Sequence, residues 1–196
     1  MYCLKILGTN LGIEEKRFYK NKLLHRAKDL PAKIYKNGTK EWWWHGKAHR
    51  ENDLPAFEYS CGQKEWWWHG KPHRDGDKPA LERWEGRLSG LIQEWWCNGK
   101  RHRENDLPAV QWGSGFKQYY KNGIEYCFVV QNNGTKEYYN HNWMLHKFDS
   151  PAIEYANGDV EYWEDGLRHR TDGPAVVIGD KQYWFENGEF QKCIFA

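Results

Sequence analysis

Methionine and serine are scarce, long aliphatic runs are missing, and neither sign of charge prevails. The chain has two methionines and four serines in 196 residues. None of the serines (Ser60, Ser89, Ser114, Ser150) stands in a recognisable nucleophile context. There is no G-x-S-x-G, no G-x-x-x-x-G-K-[ST], no G-x-G-x-x-G and no H-E-x-x-H, which leaves the common signatures of hydrolases, nucleotide and dinucleotide binders and zinc proteases unfilled. The longest aliphatic run is about CFVV at 127–130, far short of a membrane span. The opening MYCLKILGTNLGIEEKR has no basic start followed by a long apolar run, so no signal peptide is expected. Five cysteines (Cys3, Cys61, Cys97, Cys127, Cys193) are odd in number and scattered. They read as free thiols of a reducing compartment rather than a disulfide framework or a zinc site. Lys and Arg total 29 against 27 Asp and Glu, a balance that argues against a dedicated nucleic-acid binder. No polybasic cluster or amphipathic helix favours a membrane surface. The expectation is a soluble, cytoplasmic, non-enzymatic protein with no cofactor and no bound metal.

Aromatic residues are abundant. There are 13 Trp and 12 Tyr, yet mean hydropathy is −1.01. Such a chain relies on amphipathic rings for its buried area. The rings recur with a period. His followed by a basic residue occurs at His25, His49, His73, His102, His146 and His169, at intervals of 24, 24, 29, 44 and 23 residues. Each pair is followed by Asp-x-Pro-Ala, with Asp29, Asp53, Asp77, Asp106, Asp149 and Asp172 two places before proline. The 44-residue interval holds a further unit, residues 124–142, that has lost its HR–DxPA half; the 29-residue interval carries an insertion within residues 84–94.

Between these anchors the pattern is two strands and two turns. After Pro-Ala, Phe57/Tyr59, Val110/Trp112, Ile153/Tyr155 and Val176/Ile178 alternate with Glu58, Gln111 and Glu154, with Val177 as an exception. That period of two predicts a half-buried strand. Asn37-Gly38 and Asn157-Gly158 predict hairpin turns, because both residue types tolerate positive φ. A second strand begins with a Glu/Gln column (Glu41, Glu65, Glu94, Gln118, Glu137, Glu161, Gln182). Two aromatic columns follow, led by Trp42 and Trp43, Trp66 and Trp67, Trp95 and Trp96. A unit of about 24 residues buries no core alone, so neighbours must stack. The fold expected is all-β: an elongated antiparallel β-hairpin repeat array of about seven units of roughly 24 residues, forming one domain over 1–196. Residues 1–26 form a cap and partial unit, 27–188 the tandem repeats and 189–196 a closing cap.

The string EWWWHGKAHRENDLPAFEYSCG resembles the MORN repeat: an aromatic strand, N-G-K-x-H, a short loop, a second strand and a closing Gly. The chain departs from that pattern by using HR-x-D-x-P-A where MORN units carry a Gly-rich loop. In this it is similar to tandem repeats of giant-virus and bacteriophage proteins. The resemblance implies a MORN-like meander used for protein assembly, and a viral or phage protein acting in the host cytoplasm on a host protein, for instance a defence component.

Six copies of the HR–D constellation read as a structural loop, since catalysis needs one preorganised site. Asp before x-Pro suits acceptance of backbone N–H groups in a turn, and Arg can pair with that Asp or with the Glu column. Lys40, Lys64, Lys117 and Lys136, beside that column, are expected to offset its repulsion. The candidate binding residues lie in the Trp triplets. The third aromatic position holds Trp44 and Trp68 but Cys97, Lys121, Asn140 and Glu164 in sister units, so it reads as wet. Trp44 and Trp68, with His45, His69 and Trp84, form a candidate exposed patch for a partner protein. The competing reading makes both tryptophans a cap on the core. A nucleotide- or sugar-like small ligand stacked between them is the alternative function; an enzyme built on an irregular repeat is a third. Homo-oligomerisation through open sheet edges is also expected to need management.

Overall fold

The computed structural model describes residues 1–9, 12–86 and 90–195. Within the 84–94 insertion, Arg87, Leu88 and Ser89 therefore lie outside the described residues. The chain divides into two compact units, Met1–Lys117 and Gln118–Ala196. Both are antiparallel β meanders. In the first, Gly12–Lys20 pairs with Tyr2–Thr9 on one side and Lys33–Tyr35 on the other. The ladder then runs through Lys40–Glu41, Phe57–Glu58, Lys64–Glu65, Leu81–Trp84, Leu91–Glu94 and Val110–Trp112. In the second, Ile124–Val130 leads through Lys136–Tyr139, Ile153–Glu154, Val160–Glu161, Val176–Ile178 and Lys181–Glu186 to Glu189–Phe195.

The expected second strand is broken in two. Between Lys40–Glu41 and Trp43–Trp44, the Trp42 amide turns aside to the Ala56 carbonyl (2.8 Å), and the Trp42 carbonyl accepts the His49 amide (3.1 Å). The residues beyond the break form a separate small hairpin: Trp43–Trp44 with Lys47–Ala48, Trp67–Trp68 with Lys71–Pro72, Trp96–Cys97 with Lys100–Arg101, and Trp163–Glu164 with Leu167–Arg168. Each of these four repeats thus contributes a rung to the main sheet and a side hairpin, whereas Lys117–Lys121, Lys136–Tyr139 and Lys181–Glu186 run unbroken. Side hairpins tie to one another through single backbone bonds, Gly70 amide to Ala48 carbonyl (2.8 Å) and Gly99 amide to Pro72 carbonyl (2.9 Å).

The turns differ from expectation in an instructive way. At Asn37-Gly38 only the glycine has positive φ (91°), while the Asn37 side chain accepts the Thr39 amide at 3.0 Å; Asn157 does the same for Asp159 at 3.2 Å. Tight turns with two positive φ values sit in the side hairpins, at His45-Gly46 (48° and 78°), His69-Gly70 (47° and 88°), Asn98-Gly99 (51° and 84°) and Asp165-Gly166 (46° and 82°), and in the long hairpins at Asn122-Gly123 (53° and 87°) and Asn187-Gly188 (48° and 83°). That geometry matches the right-handed twist of a two-residue hairpin and is accessible to His, Asn and Asp.

The core of each repeat is small and repeated. Trp42, Trp66 and Trp95 are each 6% exposed, and the alanine of every Asp-x-Pro-Ala (Ala32, Ala56, Ala80, Ala109, Ala152, Ala175) is fully buried. The aromatics of the second column, Trp43, Trp67, Trp96 and Trp163, are half-buried. Their indole N–H groups donate to the Glu column: Trp43 to Glu41 (2.7 Å), Trp67 to Glu65 (2.8 Å), Trp96 to Glu94 (3.2 Å) and Trp163 to Glu161 (2.9 Å). Tyr35, Tyr59 and Tyr155 donate to the same carboxylates from the preceding strand. Burial, then the neighbouring carboxylate, pushes the Tyr155 hydroxyl up to about 12. Cations that offset the column are Lys33 at Glu41, Arg83 and Arg101 at Glu94, and Arg168 at Glu161. Lys33 and Arg83 stand on strands paired with the carboxylate's own, and Arg101 and Arg168 on the side hairpins, rather than directly before the Glu/Gln column as Lys40, Lys64, Lys117 and Lys136 do.

Candidate functional site

The HR–DxPA loop is built around the arginine. Its guanidinium lies over the first aromatic of its own unit: Arg26 over Phe18 (3.7 Å), Arg50 over Trp42 (3.7 Å), Arg74 over Trp66 (3.6 Å), Arg103 over Trp95 (3.8 Å) and Arg170 over Tyr162 (4.0 Å). Lys147 takes the place over Tyr138 at 3.4 Å. A cation held against a ring face and partly shielded from water is stabilising. One guanidinium nitrogen then donates to the proline carbonyl of the same loop, Arg50 to Pro55 and Arg74 to Pro79 at 3.1 Å each.

The aspartates act differently from expectation. Lys28-Asp29, Asn52-Asp53 and Gly76-Asp77 are pairs of consecutive residues with positive φ. In that conformation the carboxylate reaches forward to the next unit, where Asp29 receives Arg50, Asp53 receives Arg74 and Asp77 receives Arg103, each by two nitrogens at 2.6–3.3 Å. The Asp backbone carbonyl accepts the next unit's indole N–H, Trp42 to Asp29 (3.1 Å), Trp66 to Asp53 (3.0 Å) and Trp95 to Asp77 (3.1 Å). Asp172 departs from this and pairs with Arg170 in its own unit. Arg74 and then Lys78 hold the Asp53 carboxyl down at about 2.

The histidines are likewise inter-repeat ties. His Nδ1 accepts the amide of the next side-hairpin turn: His45 to His25 (3.3 Å), His69 to His49 (3.4 Å), Asn98 to His73 (3.3 Å), Asp165 to His146 (3.2 Å) and Asn187 to His169 (3.1 Å). An accepting Nδ1 is unprotonated, which fixes the proton of the neutral ring on Nε2. Burial first, and His45 second, lowers the His25 pKa. Its Nε2 is buried with no hydrogen-bond partner.

Trp44 and Trp68 stand on the solvent side of this lattice. They are 41% and 43% exposed, so neither is a core cap. Each leans on the histidine of the unit before it, Trp44 on His25 (4.3 Å) and Trp68 on His49 (4.4 Å), while His69 stacks on His49 at 4.3 Å with planes 9° apart. His45 packs on His25 at 4.5 Å. Trp44, His45, Trp68 and His69 therefore form one face of neighbouring side hairpins. Trp84 does not join them. The register puts Leu81 opposite Glu65 and Glu82 opposite Lys64, so Trp84 runs toward the far turn, up to about 20 Å from Trp68 at 3.3 Å per residue. Trp84 is 60% exposed there, and its carbonyl accepts Gln63.

Between consecutive loops lie equivalent clefts that sequence reading did not reveal. One of about 270 Å³ is walled by Trp43, Trp44, Lys28, Asp29, Arg50 and Asn52. The next, about 230 Å³, has Trp67, Trp68, Asp53, Leu54, Arg74 and Lys78. In the second unit a larger cleft of about 500 Å³ has Glu164 where these have tryptophan. The walls come from three separate segments, and the exposed leucine of Asp-Leu-Pro-Ala, Leu54, was the one signal available in sequence. The wet reading of the third aromatic position fails at Asn140, which is buried: its side chain accepts the Asn142 and Met144 amides and donates to Asp165. Among the described residues no group of three or more His, Cys, Asp or Glu is placed to hold a metal ion, and no helix is long and apolar enough to cross a membrane. Comparison with protein-family models, curated proteins and solved structures returns no match.

Proposed function

We propose that this chain is a non-enzymatic binding protein of MORN-like repeat type. Its working surface is the side-hairpin face carrying Trp44, His45, Trp68 and His69, and its ligand is a partner protein. The observation that carries the reading is the contrast between aromatic columns. First- and second-column rings are engaged inside the repeat lattice, whereas Trp44 and Trp68 are large apolar rings left in solvent beside clefts. Exposed tryptophan at a cleft mouth is a typical interface anchor. The guanidiniums of Arg50, Arg74 and Arg103 already grip aspartates and lie on rings, which supports a neutral partner over a phosphorylated ligand. The resemblance to viral and phage repeats extends the proposal to a host protein met in the host cytoplasm.

The test is native mass spectrometry of protein purified gently from its host, beside a Trp44→Lys/Trp68→Lys double variant. Lysine is chosen because a sister unit carries Lys121 at this position. A protein partner on the wild type and not on the folded variant is expected. Retention of the same partner by both would overturn the assignment of the face.

A further inference from the structure

We propose that the tandem clefts beside Trp44 and Trp68 take a proline-rich segment in polyproline II form, laid along the stacking direction of the repeats. This rests on the reading of that face as a protein-binding surface and names what it would recognise.

The first argument is pitch. Glu41 pairs with Phe57 and Phe57 with Glu65, so equivalent residues of these two units stand two strand steps apart, about 9.6 Å at 4.8 Å per step. The side hairpins keep the same order, joined by the bond from the Gly70 amide to the Ala48 carbonyl. Trp44 and Trp68 therefore repeat at about the same interval. A polyproline II helix repeats every three residues at 3.1 Å each, or about 9.3 Å. Every third residue of such a ligand meets an equivalent cleft with a mismatch of about 0.3 Å per turn. An extended strand presents same-side residues about 6.8 Å apart, and an α-helix advances about 5.4 Å per turn, so neither repeat matches the interval of about 9.6 Å as closely. Each cleft is also smaller than a stand-alone small-molecule site, which runs to roughly 300–1,000 Å³. Two in series suit a polymer that places one ring in each.

The second argument is hydrogen-bonding capacity. The indole N–H groups of Trp42, Trp43, Trp66, Trp67, Trp95, Trp96 and Trp163 all donate within the protein. Those of Trp44 and Trp68 have no partner among the described residues, although both rings pack against His25 and His49. Each is a flat apolar wall with an outward donor. A polyproline II chain offers the complement, since its carbonyls make no internal hydrogen bonds and its rings are apolar. The engaged arginines leave an uncharged, proline-rich segment as the fitting partner.

The experiment uses the intact chain and two synthetic probes, nonaproline and triproline. Tryptophan fluorescence gives affinity, and 15N–1H spectra resolve indole N–H signals of the 13 tryptophans. Nonaproline, long enough to occupy both clefts, is expected to bind at least tenfold more tightly than triproline and to shift two indole signals while the lattice indoles stay fixed. Trp44→Lys or Trp68→Lys should each reduce nonaproline to triproline-like affinity, because a second linked contact is what raises it. Trp68→Glu, copying Glu164 of the sister unit, is the second variant, and circular dichroism checks that each is folded. Equal binding by the Trp44→Lys/Trp68→Lys protein, or shifts confined to other indoles, would overturn the proposal. So would tighter binding of an oligosaccharide or a nucleotide at these rings. If nonaproline fails while a protein partner still depends on Trp44 and Trp68, the face is a protein-binding surface and the polyproline assignment alone is wrong. If no variant folds and the indole signals of the wild type ignore nonaproline, both fall.

Discussion

Removing one arginine of the repeated loop should cost far more than removing the aspartate that pairs with it. Arg74 has a side chain only 14% exposed and makes three kinds of contact. It lies 3.6 Å above the Trp66 ring, donates to the Pro79 carbonyl at 3.1 Å and grips Asp53 at 2.6 and 3.3 Å. The ring contact is worth about 1 kcal/mol when partly shielded from water. The charged hydrogen bond to a carbonyl contributes about 1.5 kcal/mol. The depression of the Asp53 carboxyl from 3.8 to about 2 corresponds to at most about 2.4 kcal/mol. Asp53 is 41% exposed and also touches Lys78, so screening brings the Arg74 share to about 0.5–1 kcal/mol. Arg74→Ala should therefore destabilise by about 3 kcal/mol. Asp53→Asn, which preserves a residue type that tolerates its φ of 54°, should cost about 0.5–1 kcal/mol.

Urea denaturation of both single variants and of the double variant gives the coupling directly. A coupling energy near 0.5–1 kcal/mol with a much larger Arg74 effect supports an arginine whose main task is to cover the tryptophan. Equal losses from the two single variants, with coupling equal to the whole Arg74 effect, would refute that and make the loop an ion-pair latch.

Ala56, fully buried beneath the loop, should tolerate no growth: Ala56→Val is expected to lose about 1–3 kcal/mol by overpacking, against a change within about 0.5 kcal/mol for Ala156→Val at an exposed position, both read by urea melts. Stability should fall as pH drops below about 6.5, because His25 and His49 have folded pKa values lowered by burial. The unfolded chain then binds the protons more readily, so the histidine contribution is full above the unfolded value and is lost below it. The groups facing His25 are His45 and Lys20, with Tyr2 and Trp44 as neutral walls, and His25→Asn should shrink the difference in Tm between pH 7.5 and 5.5; an unchanged difference would remove His25 from the account. Of the five free thiols, Cys3, Cys61, Cys97 and Cys193 are exposed, whereas burial first and Glu125 second push the Cys127 thiol up. A thiol reagent at neutral pH should modify four quickly and Cys127 slowly, and five equal rates would contradict that placement.

The repeat was legible because its signals are local. Pro-Ala, the Glu column and the paired aromatics recur at fixed spacing, and period-two alternation marks the strands. The partners of the loop were not legible. Arg50 reaches an aspartate 21 residues upstream rather than the one three places ahead of it, since two consecutive left-handed residues aim Asp29 forward into the next unit. The break at Trp42 was hidden for a similar reason. Alternation continues through it in sequence, while its backbone amide and carbonyl serve Ala56 and His49. Exposure of Trp44 and Trp68 was readable from Lys121 and Glu164 in sister units, although Asn140 shows that a polar residue at this position can be buried when a turn rearranges around it. Trp84 was grouped with them by composition, and the strand register separates them.

Repetition itself supplies the last step. A contact present in nearly every unit, such as the arginine over its ring, does the work of stacking, because each rung must be held to the next. Binding is carried where equivalent positions are free to differ. The first two aromatic columns keep a ring in unit after unit, and the donors of Trp42, Trp43, Trp66, Trp67, Trp95, Trp96, Tyr138, Tyr139 and Trp163 end on carbonyls or carboxylates within the lattice. The third column keeps neither: it is Trp, Trp, Cys, Lys, Asn, Glu and Phe along the chain, with Phe185 packed on Phe190. Stacking fixes no residue type in that column, although Trp44 and Trp68 rest on His25 and His49, so two consecutive tryptophans there, with indole donors that the lattice does not use, point to something outside it. A ligand with the same spacing is the simplest object that would use both.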